Sequence, residues 1–545
     1  MDSLIQPSFE LPAQAVKQPP QPDRARPRAR TAGLALLPAL VAALSLSGCT
    51  KPVSLREQDV LNHVAHRYRA FFPDAADPDP RHDVGLLRPR FGLPIILGTG
   101  SAPAATAGPV SFDVEVMERG GPVPLALALV PHELPPESAA RCASLPQDPP
   151  AAPPTGWAVD PVSRPEPAGC HPLRIVSARR EPLPDGAAHV FLTVQALGPV
   201  PPRDYDLYLR SPVDSPTRAP RSVWLRPGDP ATAPLRIAHL SDLHVGKGRH
   251  GRVLENLERV LNDVNAGAPD LVVLTGDIAN MGTRARLEER AAELLQRLNA
   301  PVLAVLGNHD HGFGSMLFRT PYGAGWANFA RVFHSSLLYS LNLGGWEFIG
   351  FDSGPSEFSA RVLTRGLSPE SLAVLEEKVA AAQRAGRRGV ILFSHAPSRA
   401  ALSTRADPEK PGPVGRMYRG ARAFETVLLR HAPELRLIHL SGHTHWSDLY
   451  EAHARNGEAP RRFVRWDANA LTPCLQPLRG RVSLITTQSA THTTFPLRKN
   501  GQGYGFTWLV LDERAPQVAF QRYRGPAAQK CEQPVLEQSV VLHTL

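Results

Sequence analysis

Five apolar runs in this chain each stop at an imidazole, a carboxylate or a carboxamide. LRIAHL (235–240) runs into Ser241-Asp242-Leu243-His244, and DLVVLT (270–275) into Gly276-Asp277. PVLAVL (301–306) runs into Gly307-Asn308-His309-Asp310, GVILF (389–393) into Ser394-His395, and LRLIHL (435–440) into Ser441-Gly442-His443-Thr444-His445. Short apolar runs of this kind read as buried strands. Helical periods lie between them. Val253, Leu254, Leu257, Val260, Leu261 and Val264 share one side over 251–266, and further helices fall near 283–298 and 420–431. Ser368 is a natural N-cap with Pro369 at the first helical position. Strands alternating with helices predict an α/β domain. In open α/β sheets, sites form just beyond the carboxyl ends of strands. The pattern therefore brings three Asp, one Asn and five His to one rim.

So many imidazoles and carboxylates cannot share a pocket without a cation. Unpaired carboxylates repel, and a buried charge without a partner is costly. A divalent metal resolves this, and the donor count suffices for two. Asn is a poor acid or base, but its carbonyl oxygen is an acceptable ligand, which favours coordination over plain acid–base chemistry. No cysteine lies near these strand ends, so a structural Cys-type zinc site is not indicated. Mixed nitrogen and oxygen ligands suit Mn, Fe, Zn or Ni, and the residues do not choose among them.

These blocks resemble the calcineurin-like metallophosphoesterases, whose pattern is DxH, GD, GNH(D/E), H and GHxH in that order. Here it reads Asp242-Leu-His244, Gly276-Asp277, Gly307-Asn308-His309-Asp310, His395 and Gly442-His443-Thr-His445, within 235–523. The resemblance implies a four-layer sandwich, two mixed β-sheets flanked by helices, with the metals at its top. By position it implies one divalent ion on Asp242, His244, Asp277 and His445, and a second on Asp277, Asn308, His395 and His443. Asp277 bridges in this reading, a carboxylate having two anionic oxygens to offer. It further implies hydrolysis of phosphate monoesters or diesters, with a hydroxide shared by the metals as nucleophile. His309 is then the general acid, oriented by Asp310. The purple acid phosphatase branch needs GDxxY; here the fifth place is Asn280, so its tyrosinate ligand is absent. Other polar residues near these blocks read as supporting structure. His439 lies inside an apolar strand and reads as a satisfied core residue, and Asp352 ends a strand the family does not use for metal. His311 faces either the pocket or its own loop. Arg249 and His250 read as solvated loop, with contact to a substrate phosphate as the alternative.

Outside that domain the chain divides at 49, 108 and 228, with a C-terminal tail over 524–545. RARPRAR (24–30), the apolar AGLALLPALVAALSLS (32–47) and Gly48-Cys49 have the order of an export signal. The ending Leu46-Ser47-Gly48-Cys49 resembles a bacterial lipobox, which implies lipidation of Cys49, a membrane tether and a place in the cell envelope. A tether and one helix (55–72) are expected over 50–108. Six short β-type runs between Pro and Gly turns predict a small β-rich, sandwich-like domain over 109–228. Four further cysteines, Cys142, Cys170, Cys474 and Cys531, allow two disulfides in an exported chain, 142–170 and 474–531 being the simplest pairing. The 57 prolines in 545 residues argue for long loops around the core. The leader contributes +2 of the formal charge of +9, and the remaining +7 includes no Lys/Arg block, which argues against a nucleic-acid groove. Within the same resemblance, a phosphatase of phosphoproteins or lipid head groups is the alternative substrate class. A non-catalytic surface-binding lipoprotein is the alternative function.

Overall fold

The structure, a computed structural model, describes residues 84–98, 110–118, 122, 124–134, 169–182, 187–211, 217–226, 234–247, 251–311, 324–354, 358–359, 362–363, 366–400, 417, 420–452, 463–466, 475–492, 503–512, 515–524, 527–528 and 542–544. The signal segment with Cys49, the 55–72 helix, and Cys142, Cys474, Cys531, Arg249 and His250 lie outside them. Among the described residues no helix is long and apolar enough to cross a membrane. Cys170 is disulfide-bonded.

The Pro- and Gly-punctuated region forms one eight-stranded sheet. Its strands are β1 (Val84–Arg88), β2 (Ile95–Gly98), β3 (Ser111–Glu118), β4 (Ala126–Pro131), β5 (His171–Pro182), β6 (Ala188–Ala196), β7 (Asp204–Arg210) and β8 (Thr217–Arg226). The order is β1-β3-β6-β5-β4-β7-β8-β2. The ladder is continuous, because β5 pairs with β4 at one end and with β6 along its length, shifting register between Ile175 and Ser177. Strand alternation sends Phe112, Val114, Leu127, Leu129, Val190, Leu192, Leu207 and Val223 into one core that all eight strands feed. The sheet also takes in two strands before residue 109, a stretch the sequence reading treats as tether. β2 carries it onto the next domain: Ile95 joins the sheet's own core, while Ile96 packs with the neighbouring one.

Two further sheets follow. The first contains β9 (Leu235–Leu240), β10 (Leu271–Leu274), β11 (Val302–Ala304), β20 (Gln476–Pro477), β22 (Tyr504–Leu511), β23 (Gln517–Arg524) and β24 (Ala527–Ala528). It runs β11-β10-β9-β22-β23-β20, with β24 on β23. The second contains β12 (Leu338–Leu343), β13 (Trp346–Phe351), β16 (Gly389–Phe393), β17 (Arg436–Ser441), β18 (Asp448–Ala452), β19 (Phe463–Trp466), β21 (Val482–Thr486) and β25 (Leu542–Thr544). Its order is β12-β13-β16-β17-β21-β18-β19-β25, and β14 (Phe358–Ser359) with β15 (Val362–Leu363) makes a separate ribbon. Both sheets are mixed: β9, β10 and β11 are parallel, as are β13, β16, β17 and β21, while β22 and β18 pair antiparallel with their neighbours.

The apolar faces stack these sheets in layers. Ile237, Val273 and Leu303 of one sheet meet Phe348, Ile391, Ile438 and Ile485 of the other. Outside the first sheet pack α1 (Gly251–Ala266), α2 (Ala285–Leu295) and α3 (Ala324–Val332), through Leu257, Val260, Leu295 and Phe329. Outside the second pack α4 (Pro369–Arg384) and α5 (Ala421–His431), through Leu375, Val379, Phe424 and Leu428. The result is the expected helix–sheet–sheet–helix arrangement. Ser368 caps α4 as its sequence demands, its side chain accepting from Ser371 N at 3.1 Å. The parallel strands β9, β10, β16 and β17 end at one edge of both sheets, and the site forms there.

Candidate metal centre

The backbone must turn sharply where these strands end. Among the described residues, five of the seven non-glycine residues with positive φ are expected ligands: Asp242 (54°), His244 (45°), Asp277 (51°), His443 (68°) and His445 (56°). Each such residue costs on the order of 1–3 kcal/mol, so the surroundings must over-determine it. Hydrogen bonds between the loops do this. Asp242 N donates to Gly276 O (3.0 Å), His244 N to Asp277 O (2.9 Å), and Gly442 N to His395 O (2.9 Å). Glycines beside the ligands allow the approach. A Cβ on Gly307 would stand 2.2 Å from Asp277 N, and one on Gly442 only 1.7 Å from Ser241 Oγ.

The strand ends bring the expected donors into two groups. His445 Nε2 lies 3.0 Å from Asp242 Oδ1 and 3.1 Å from His244 Nε2. His244 Nε2 lies 3.6 Å from Asp242 Oδ1 and 3.5 Å from Asp277 Oδ2. In the second group His395 Nε2 lies 3.0 Å from His443 Nδ1, 3.1 Å from Asn308 Oδ1 and 3.3 Å from Asp277 Oδ2. Ligands held about 2.0–2.2 Å from a common ion stand roughly 3.0–3.5 Å from one another, so both groups have the spacing of a coordination shell. Asp242 Oδ1 is buried with no hydrogen bond, as an oxygen reserved for a cation would be. The donors fit two divalent ions.

Asp277 belongs to both groups, but not through two oxygens as the sequence argument supposes. One oxygen, Oδ2, faces His244 and His395; Oδ1 accepts from His309 N at 2.8 Å.

Electrostatics support the same arrangement. Burial pushes Asp242 and Asp277 upward, but the surrounding histidines outweigh it and hold both well below the usual carboxylate range. Burial pushes His244 down to about 3 against the pull of Asp242 and Asp277. At His395 the same burial is overcome by Asp277, Asp242 and the Thr275 carbonyl, which raise it to about 9. Cations would stand in for such protons.

His309 and Asp310 take different positions from those expected. His309 Nδ1 lies 2.7 Å from the Asn280 carbonyl, which only accepts, so Nδ1 carries a proton. The other ring nitrogen, Nε2, lies 3.9 Å from Asp277 Oδ2. The orienting acceptor is therefore a backbone carbonyl and not Asp310. The Asp310 carboxylate instead accepts from Gly307 N (2.8 Å), Ala279 N (3.0 Å) and Ile278 N (3.2 Å), tying two ligand loops together. Burial and Asp277 raise it to about 7, and fully buried Glu288 of α2 beside it is raised further, first by burial and then by Asp310. His311 turns from the donors to the Asp352 carboxylate, at 3.0 and 3.1 Å. His439 is a satisfied core residue, 3.0 Å from Ser394 Oγ.

One histidine of this cluster escapes sequence reasoning. His492 follows β21 in a loop without any motif, yet its ring meets His445 edge-on at 4.6 Å and His244 at 5.0 Å. Lys247 Nζ lies 2.8 Å from His492 Nε2. The sole sequence signal is a histidine after a strand neighbouring β17.

Comparisons with known proteins bear on this geometry. The family model for calcineurin-like phosphoesterases matches residues 235–447. An uncharacterized metallophosphoesterase of Bacillus subtilis (strain 168), YkuE, is 37% identical over 91 residues, which are 16% of this chain and 29% of that protein. The chain thus spans less than a third of the length of this relative. Among solved structures, a purple acid phosphatase from yellow lupin (Lupinus luteus) seeds aligns with TM-score 0.40 and 12% identity, covering 74% of this chain and 69% of that one. A dimetal phosphatase from Danio rerio aligns with TM-score 0.32 and 14% identity, covering 52% and 99%. Every motif block lies at a strand end and within the matched span, so residues 235–447 are what this chain shares with the calcineurin-like phosphoesterase family model.

Proposed function

We propose that the chain hydrolyses phosphate esters at a centre of two divalent ions. The observation that carries this reading is Asp277 Oδ2, standing 3.5 Å from His244 Nε2 and 3.3 Å from His395 Nε2 and so common to both donor groups. Asp242, His244, Asp277 and His445 would hold one ion, and Asp277, Asn308, His395 and His443 the other; Mn, Fe, Zn and Ni all suit such ligands. Bound there, they supply an acidified water and positive charge for the phosphoryl oxygens. His309 is the acid for the departing oxygen: its Nδ1–H is committed to Asn280, so the transferable proton is on Nε2.

His309→Ala is expected to slow turnover by about two to four decades with metal content unchanged. The loss should be far smaller for a p-nitrophenyl ester, which leaves without help, than for an alkyl ester. Equal losses on both esters, or missing metal, would remove His309 from the acid's role.

The reading extends to location. The basic and apolar leader ending in Leu46-Ser47-Gly48-Cys49 supports export and lipidation at Cys49, and a disulfide-bonded Cys170 suits an oxidising compartment. Cys49→Ala should move the protein from the membrane fraction to the soluble fraction; unchanged partitioning would end the tether proposal.

A further inference from the structure

We propose that Lys247 and His492 form a clamp for a non-bridging phosphoryl oxygen, giving the site a preference for dianionic phosphate monoesters over monoanionic diesters; this rests on the hydrolase reading above. The loop after β21 is built against the first ligand loop. Ala490 N donates to Ser241 O (3.0 Å), Ser489 Oγ to Asp242 O (2.7 Å) and Thr491 Oγ1 to Leu243 O (2.8 Å). Asn256 Nδ2 of α1 donates to Thr491 O at 2.6 Å.

These bonds decide the state of His492. Both hydroxyl protons are spent on carbonyls, so Ser489 Oγ (2.9 Å) and Thr491 Oγ1 (3.1 Å) can only accept from His492 Nδ1–H. Nε2 is left with its lone pair, 2.8 Å from Lys247 Nζ. His492 thus acts as a neutral rest for an ammonium group, against the rings of two metal ligands.

Lys247 itself is placed by the turn after Asp242-Leu243-His244, where its N–H donates to His244 O at 3.0 Å. A half-buried ammonium ordinarily finds a carboxylate. Among the described residues Lys247 has no ion pair within 4 Å, and its side chain's hydrogen-bond partner is an uncharged imidazole. The carboxylates that act on it through space are Asp242 and Asp277. Two of its three protons therefore have no described acceptor, beside the ligands where a phosphoryl group would sit. A monoester carries about −1.5 to −2 at neutral pH, its second pKa being about 6, whereas a diester carries one charge. An added cation that is not a ligand favours the former.

The test uses the full chain loaded with Mn²⁺, its metal content and circular dichroism checked for each variant. Lys247→Met should weaken inorganic phosphate in titration calorimetry by about 10–100-fold, the range of a hydrogen bond to a charged group. It should raise KM for p-nitrophenyl phosphate at least about tenfold more than for bis(p-nitrophenyl) phosphate. Lys247→Arg should recover most of the phosphate affinity, because charge and donors return. His492→Gln should fall between Lys247→Met and wild type. Equal effects on both esters with phosphate affinity unmoved, or no recovery with Arg, would overturn the clamp. Wild-type protein inert on both esters would instead remove the hydrolase reading, and the phosphate titration would still decide Lys247.

Discussion

Two stretches of this domain start from the same letters and finish differently. Leu235–Ser241 and Leu435–Ser441 both read L-R-x-x-H-L-S, one in β9 and one in β17. Each ends with the same backbone connections to its parallel neighbour. Thr275 N donates to Leu240 O at 3.0 Å and Ser394 N to Leu440 O at 3.1 Å, after which Asp242 N meets Gly276 O and Gly442 N meets His395 O. The histidines match as well: His239 Nε2 lies 2.9 Å from Thr275 Oγ1, and His439 Nε2 3.0 Å from Ser394 Oγ. Their layers differ. His239 shares the face of Ile237, towards the other sheet, whereas His439 packs on Phe351 and Phe424 under the outer helices. The next residue differs too, Asp242 against Gly442, because the two ends meet and only one side chain fits. His443 N donates to Asp242 Oδ2 at 2.8 Å across that meeting point. One strand supplies the carboxylate and the other supplies the amide that receives it.

Gly442→Ala tests this asymmetry most severely. The new methyl would overlap Ser241 Oγ and lie 2.5 Å from Asp242 Oδ2, and both loops are held from several sides. Destabilisation of about 3 kcal/mol or more is expected, with loss of metal, read by denaturant unfolding and elemental analysis. Wild-type stability with both ions retained would mean the strand ends do not meet as described.

Asp242→Asn probes the other member more gently. It keeps an acceptor for His443 N but removes the charge shared by the His244 and His445 group. Metal affinity at that group should fall by more than the roughly 10–100-fold that an outer partner costs, while the His395 group keeps its ion. A metal titration resolving two classes of site would show one weakened and one retained. Parallel weakening of both would make the centre one cooperative unit instead of two halves.

How much of this was legible in the letters follows from the same comparison. Asp242, His244, Asp277, Asn308, His395, His443 and His445 each follow a strand that must end at the rim, so period and position sufficed to gather them, while their assignment as ligands of two ions came from the resemblance. Asn280 could not be found that way, because its contribution to His309 is a backbone carbonyl and every residue has one. Asp310 looked like a partner for the adjacent His309, but loop geometry sends its carboxylate to three amides instead. Lys247 and His492 are 245 positions apart, and only the loop bonds show that they touch. β1 and β2 were missed because four- and five-residue strands amid prolines carry little periodic signal.

The smallest expected effect asks whether the two second-layer histidines are equivalent in energy as well as in geometry. Burial pushes each down to about 3, His239 with a further push from His439. In the unfolded chain both titrate near the ordinary value of about 6.5. Between those limits the unfolded state binds more protons, so each histidine's stabilisation is full above about pH 6.5 and is lost as pH falls towards 3. The slope is at most one proton per histidine, about 1.4 kcal/mol per pH unit. Metal-free protein unfolded by urea at intervals from pH 4 to 6.5 would measure it, since the other titrating groups remain in every variant and cancel. His239→Asn and His439→Asn should each flatten the acid limb by the same amount, despite facing different layers. A flattening confined to one of them would mean that the shared letters impose the same contact but not the same burial of charge.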